Sequence, residues 1–353
     1  MNEKLAIFAE GQFETLNGKT GHGVIRYAPR DVVAVIDSAN AGRKADEVVP
    51  YCARPVPIVA AVADAAALGA NRLLIGVAPD GGKLSAEWRA ALGEAMSLGM
   101  DVEAGLHSVL ADDPELVAIA SHLGRKLIDL RVGPADLDTP DGPYSRDASL
   151  RVVESVGSDC AIGKMTVTLE LTAAARAAGE RAVFVPTGQI GISIAGWGIA
   201  VDHVIADYIS GAAERLVLEG AERGDLLFVE GQGAILHPLY SGVTLGLLHG
   251  STPHALVLVH EAGAERIDLE DRGGPPGPVI PPLLELADLL LRLTTPLRPA
   301  PVVAIALSTR PIASDEDARA AIAAVEAETG LVCDDPVRFG AERLWRAVEG
   351  ALA

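Results

Sequence analysis

RVVESVGSDCAIGKMTVTLEL, residues Arg151 to Leu171, changes its periodicity partway along. Arg151–Gly157 is a mostly apolar run of strand length, and from Gly163 to about Ala178 the pattern is that of a helix. Between them lies Gly157-Ser158-Asp159-Cys160-Ala161-Ile162-Gly163-Lys164. A strand passing through a glycine-bounded loop into a helix that opens on Gly-Lys has the context of a phosphate-binding loop. Its backbone N–H groups would form an anion nest, the helix N-terminus would add roughly half a positive charge, and Lys164 would supply a point charge. A glycine-rich turn with no ligand is the plain alternative, and the conjunction of strand, loop, Gly-Lys, Thr166 and helix argues against it. The expected nucleotide-binding residues are Gly157, Ser158, Asp159, Cys160, Ala161, Ile162, Gly163, Lys164, Met165 and Thr166.

Two features depart from the commonest form of such loops. Five residues separate the glycines Gly157 and Gly163, one more than usual. Met165 occupies the place after the lysine, where most such loops carry a Ser or Thr that binds magnesium. A thioether is a soft ligand and does not suit a hard cation. Thr166 comes one residue later, about 100° further round the helix. The stretch therefore supports phosphate binding more directly than magnesium-dependent phosphoryl transfer.

Beyond the loop, apolar runs at Arg181–Thr187, Asp225–Gly231, His254–His260 and Val302–Ser308 read as further strands. Val201–Glu219 reads as one long helix, Gly273–Pro282 as a surface loop, and Pro281–Leu293 as the opening of another helix. Toward the N-terminus, Leu5–Ala9, Asp31–Asp37, Pro57–Val62, Arg72–Ala78, Asp101–Gly105 and Lys126–Arg131 read as six strands. Helical patterns at Ser85–Leu98 and Pro114–Leu123 lie between them. Near-continuous apolar strands alternating with helices predict parallel sheets. The expected architecture is α/β: a Rossmann-like parallel-sheet domain over residues 1–135, a Pro-, Gly- and Asp-rich linker at 136–150, and a P-loop NTPase-like parallel-sheet domain over 151–353.

The 353 residues, 49% of them hydrophobic, suffice for about two domains. A net charge of −19 disfavours nucleic acid and anionic membrane as partners. No run approaches the ~18 apolar residues of a membrane span. The apolar run at Leu5–Ala9 is too short for a signal peptide, so a cytoplasmic protein is expected. Cys52, Cys160 and Cys333 show no metal-ligand spacing and read as reduced thiols.

Other polar residues gather at the ends of these strands. Glu230 ends one, followed by Gly231-Gln232-Gly233 and then His237. In phosphate-loop folds an acid at that place sits beside the phosphates, where it binds magnesium or acts as a base. Gln189 lies in a glycine-rich segment, and Asp202, His203 and Asp207 follow. In the first domain, Asn17–Tyr27 reads as a basic, glycine-rich substrate loop with Lys19 and Arg26, and Arg43 lies further on. No G-x-G-x-x-G follows the first strand, so NAD is not expected.

The segments GVIRYAPRDVVAVIDSANAG, IGVAPDGGKL, GLHSVLADDPEL, GSDCAIGKMT, PTGQIGISIAGWG, ADYISGAAE and VEGQGAILHP resemble, over essentially the whole chain, a family once catalogued as a domain of unknown function. That family joins a Rossmann-like domain to a P-loop domain and includes the DgcN-type D-glutamate N-acetyltransferase. The resemblance implies acetyl-CoA as cofactor, a small acidic amino acid as substrate and a homo-oligomer. Coenzyme A is a nucleotide carrying a pyrophosphate, which the loop could hold without phosphoryl transfer. Candidate bases are then Glu230, Asp207 and His237, in that order, with Lys19, Arg26, Arg43, Gln189 and Gln232 as candidate substrate contacts. The alternative is an ATP-dependent ligase or kinase of the dethiobiotin-synthetase kind, with Mg²⁺ held by Thr166 and Glu230. A third reading is a nucleotide-gated binding protein without turnover.

Overall fold

Six short strands build the first sheet: β1 (Leu5–Phe8), β2 (Val32–Ile36), β3 (Ile58–Val59), β4 (Arg72–Ile75), β5 (Asp101–Ala104) and β6 (Leu127–Asp129). The computed structural model describes residues 2–77, 84–142, 149–269 and 275–353. All neighbours pair in parallel, in the order β3-β2-β1-β4-β5-β6. This is the doubly wound order of Rossmann-like folds, with its switch point between β1 and β4. Leu5, Ala6 and Ile7 are fully buried, as parallel strands covered on both faces require.

Asn17–Tyr27, expected as a loop, is helical. After a 3-10 turn at Leu16–Gly18 it forms a helix, Lys19–Tyr27, that buries Thr20 to Ile25. Its Gly21 serves packing, since a Cβ there would lie 2.9 Å from Ile7 Cγ2, and Gly76, just after β4, leaves room for the same atom, which a Cβ there would approach to 2.3 Å. The last residue of the strand expected at Arg72–Ala78 falls outside the described residues, as do the middle of the expected linker and the start of the loop at Gly273–Pro282.

The chain folds as two compact units, Met1–Gly133 with Ile192–Ala200, and Pro134–Gly191 with Val201–Ala353. The second holds β7 (Arg151–Gly157), β8 (Ala182–Val185), β9 (Leu226–Val229), β10 (Ala255–Glu261), β11 (Val302–Ser308) and β12 (Val332–Asp334). These strands are again all parallel, in the order β12-β11-β10-β7-β9-β8. β7, which leads into the phosphate loop, therefore lies between β10 and β9, and the carboxyl ends of all three meet at one edge. Alternate residues feed two cores. One joins Val153, Val257 and Ala304 to Val167, Leu171 and Trp345. The other joins Val156, Leu258 and Ile305 to Leu248, Leu286 and Leu290.

The long helix expected over Val201–Glu219 is broken. Val201–His203 and Ala206–Tyr208 are 3-10 turns, and the α-helix begins at Ile209 and ends at Ala221. Val201, Asp202, His203, Val204 and Ile205 are all weaker helix formers than the Ala-, Glu- and Leu-rich segment that follows. Part of the expected linker is fastened to that helix. The buried Glu214 carboxylate accepts the Asp141 and Gly142 N–H groups at 2.6 and 2.9 Å. Gly211 admits the chain so closely that a Cβ there would lie 1.7 Å from Asp138 O. Among the described residues, no helix is long and apolar enough to cross a membrane.

Glu154 stands in the middle of β7, fully buried, with Oε2 accepting from Ser251 Oγ and Oε1 without a hydrogen bond. Burial pushes its carboxyl up to about 8, with the Ser251 bond opposing. A carboxyl raised in the folded state contributes stability that is complete below its unfolded value and is lost as pH rises through the folded one. Relative to Glu154→Gln, the parent is therefore expected to lose a few kcal/mol between pH 5 and pH 9. Urea midpoints at the two pH values measure this, and parallel pH dependence of the two proteins would contradict it.

Candidate nucleotide-binding site

The loop from Gly157 to Lys164 is shaped by its backbone. A Cβ on Gly157 would lie 2.7 Å from Asp159 O and 2.8 Å from Lys164 Nζ, so the cradle needs glycine there. Ala161 at φ 55° and Gly163 at φ 105° are left-handed, the first at a cost of about 1 kcal/mol. Left-handed residues inside a right-handed turn make successive N–H groups converge into an anion nest. The helix Lys164–Ala177 starts directly behind it and contributes its positive end.

Lys164 is 7% exposed, and Nζ donates to Asp159 O at 2.7 Å. Burial pulls its pKa down, while the negative groups Cys160, Asp159 and Glu230 oppose. Ser158 belongs to the loop's attachment: its N–H donates to Val259 O at 3.0 Å and its Oγ lies 2.8 Å from His260 Nδ1. Asp159 is buried, accepting the Cys160 N–H at 2.6 Å and the Asp268 N–H at 2.7 Å. Met165 and Thr166 are half-buried. Thr168 Oγ1 lies 2.8 Å from both Lys164 O and Ser155 Oγ, fully buried between helix and β7. It ties the helix to the sheet and cannot serve a cation.

Glu230 follows β9 at the adjoining edge and is 4% exposed. Its Oε2 accepts the N–H groups of Thr187 and Gly188 at 3.0 and 3.3 Å, and Gln232 Nε2 donates to Oε1 at 3.3 Å. Burial pushes its pKa up to about 7. The two N–H bonds and Lys164 pull against this, and Asp202 adds to it. Two glycines make room for these groups: a Cβ on Gly191 would lie 2.4 Å from Glu230 Oε2, and one on Gly188 would lie 2.4 Å from Gln232 Nε2. Gly231 locks the segment to β7, its N–H donating to Ser155 Oγ at 3.0 Å. A Cβ on Gly231 would lie 1.8 Å from Ser155 O, a backbone atom that cannot swing away. Gly231→Ala is expected to cost roughly 3 kcal/mol or more. Chemical denaturation checks this, and parental stability would mean the segment is not packed on β7 as described.

His237 is buried, its Nδ1 accepting the Leu239 N–H at 3.2 Å, and its ring lies 4.7 Å from that of Tyr240. A neutral ring that accepts at Nδ1 carries its proton on Nε2, which makes that nitrogen a donor.

Lys164, Glu230, Gln232 and His237 thus come together around the loop. Asp207 does not join them; it is exposed in its 3-10 turn, and the second carboxylate that Glu230 senses is Asp202. Gln189 opens a short helix, Gln189–Ala195, directly after the Thr187–Gly188 amides. In the first unit, Lys19 is exposed at its helix start. Arg26 donates to Tyr51 O at 3.0 Å, with its guanidinium over the Tyr27 and Tyr51 rings. Arg43 bonds Asn40 Oδ1 and Glu47 O and pairs with Glu14. Sequence reasoning misses the Ser155–Thr168–Gly231 tie and the Thr187 amide; a serine inside an apolar strand is the visible sign of the first.

A phosphate loop on a central strand of an all-parallel sheet, in a chain whose other unit is Rossmann-like, defines a two-domain α/β protein of the phosphate-loop class. The chain belongs to the DUF1611 family: a P-loop domain described as "Domain of unknown function (DUF1611_C)" matches residues 141–345, and the Rossmann-like "DUF1611_N" domain matches residues 38–133. It is 40% identical over 283 residues to a D-glutamate N-acetyltransferase from Tritonibacter scottomollicae, covering 80% of this chain and 82% of the relative. A D-glutamate N-acetyltransferase from Pseudoalteromonas sp is 36% identical over the same shares. The crystal structure of a DUF1611 family protein from Anabaena variabilis is similar at a TM-score of 0.90 and 40% identity, over 99% of this chain and 100% of that one.

Proposed function

We propose that this protein is an N-acetyltransferase that moves the acetyl group of acetyl-CoA to the amine of an acidic amino acid such as D-glutamate. The observation that carries the reading is the 40% identity to a D-glutamate N-acetyltransferase across 80% of the chain. The site is compatible with it. The cradle at Gly157, which a side chain would fill, and the buried Lys164 suit a diphosphate. Met165 and the already bonded Thr168 leave the usual magnesium hydroxyl unprovided, which matters less when no phosphoryl group moves.

Acetyl-CoA supplies the acetyl group as a thioester. The loop amides and Lys164 hold its pyrophosphate. Glu230, poised near neutrality, accepts a proton from the substrate ammonium. The free amine forms the new N–C bond as the C–S bond breaks, and the second proton that the nitrogen loses on becoming an amide ends on the departing thiolate. Backbone N–H groups near Gly191 or Gly233 are candidates for the oxyanion. Lys19 and Arg43 are candidates for the substrate carboxylates. Arg26 is a weaker one, since its guanidinium is already bonded and stacked. For Glu230 to act as base, the pantetheine arm must fold back toward the loop.

One observation favours a second reading. Glu230 senses Lys164, and an acid beside the phosphates is where magnesium-ATP enzymes place a metal ligand. On that reading the protein activates a carboxylate with ATP, using Thr166 and Glu230 around Mg²⁺. Thermal-shift titration with acetyl-CoA, CoA, ATP and ADP, with and without Mg²⁺, separates the two. The acetyltransferase reading expects stabilisation by CoA and acetyl-CoA without magnesium. Stabilisation by ATP with magnesium alone would overturn it.

A further inference from the structure

Among the described residues, one group of histidine, cysteine and acidic side chains is close enough to share a metal ion. Asp159, Cys160 and His237 bring a carboxylate oxygen, a thiol sulfur and a ring nitrogen to within 4.8 Å of one another. Two of these residues are buried and the third half-buried, so this is not a chance cluster of surface acids. The first two belong to the phosphate loop and the third to the segment after β9, so only the fold unites them.

We infer that these three side chains form a zinc-class metal site on the phosphate loop, whose open position faces the bound nucleotide's phosphate oxygens. The inference rests on the proposal that the loop holds the pyrophosphate of acetyl-CoA. A thiolate, an imidazole and a carboxylate form a borderline-soft donor set that suits zinc and not magnesium. Three protein ligands leave one tetrahedral position for a ligand oxygen. The supporting bonds are in place. Asp159 is oriented by the N–H groups of Cys160 and Asp268, and each carboxylate oxygen keeps a second lone pair. Coordination by either nitrogen of His237 costs the ring its long 3.2 Å bond from Leu239 N–H, the weakest of these contacts. A cation here would share the loop with Lys164, whose Nζ bonds the Asp159 carbonyl. It would supply the positive charge that Met165 prevents a hydroxyl-bound magnesium from supplying.

The test uses the full chain, stripped with a chelator and dialysed against Zn²⁺ or Co²⁺. One zinc per chain is expected. Cys160→Ser and His237→Asn should each weaken zinc binding by at least about tenfold, since even outer-shell changes cost that much. The cobalt form of the parent should show thiolate-to-metal charge-transfer absorption that Cys160→Ser lacks. Zinc uptake equal in the parent and both variants, or a cobalt spectrum without the thiolate band, would overturn the site. Acetyl-CoA stabilisation of the zinc-free protein is measured in parallel, so the loop reading stands or falls separately.

Discussion

Lys164→Ala is expected to abolish the stabilisation of this protein by acetyl-CoA and by CoA. The ammonium is buried at the head of the loop, where its replaceable contact is a carbonyl of the loop itself, Asp159 O at 2.7 Å. A charge-assisted bond to phosphate in such surroundings contributes ~3 kcal/mol, so affinity should fall roughly 100-fold. The fold should survive. The variant removes a charge that burial already disfavours, and neither core cluster includes Lys164. Isothermal titration with acetyl-CoA reads the effect. Unchanged affinity in a folded variant would show that the nucleotide lies elsewhere and that the loop is a structural turn.

Glu230→Gln should lower turnover by about 10²–10⁴, the range spanned by general-base catalysis. It should leave acetyl-CoA affinity within a few-fold, and it should change the pH profile. In the parent the carboxyl is raised to about 7, so the fraction able to accept a proton, and with it kcat/KM, climbs as pH rises through that value. The variant should lack this limb. The sign for stability is opposite. A raised carboxyl loses stability as pH rises from its unfolded value to its folded one, so the variant should gain on the parent as pH climbs to about 7 and gain nothing more above it. Glutamine keeps an oxygen for the Thr187 and Gly188 N–H groups, so the local fold should hold. Full activity of Glu230→Gln would place the base at the far end of the pantetheine arm.

Local patterns carry most of the fold. All six strands of the first sheet and four of the six of the second lie within runs read from the sequence, and β10 passes its run by one residue, to Glu261. β12, three residues long, is too short to show a period. The helix Lys19–Tyr27 is obscured by the same glycines that let it pack on Ile7 and Gly76, because close approach and a flexible loop use the same residue. Beside the break before Ile209, Gly211 admits the segment at Asp138, a contact between positions far apart in sequence. At the site, the loop and Glu230 can be read from strand-to-helix context. The burial that raises Glu230 cannot, because Thr187, Gly188 and Gly191 reach it from another strand's end. Cys160 looks like an isolated thiol for the same reason: its neighbour His237 arrives only through the pairing of β7 with β9.

The decisive measurement is the reaction itself. The purified full chain is mixed with acetyl-CoA and D-glutamate, without ATP, and free CoA thiol and N-acetylglutamate are followed together. One thiol should be released for each amine acetylated, with no nucleotide triphosphate required and with loss of both signals in Lys164→Ala. No thiol release with D-glutamate or any other acidic amino acid, alongside ADP formation from magnesium-ATP in the presence of a carboxylate substrate, would contradict the acetyltransferase reading.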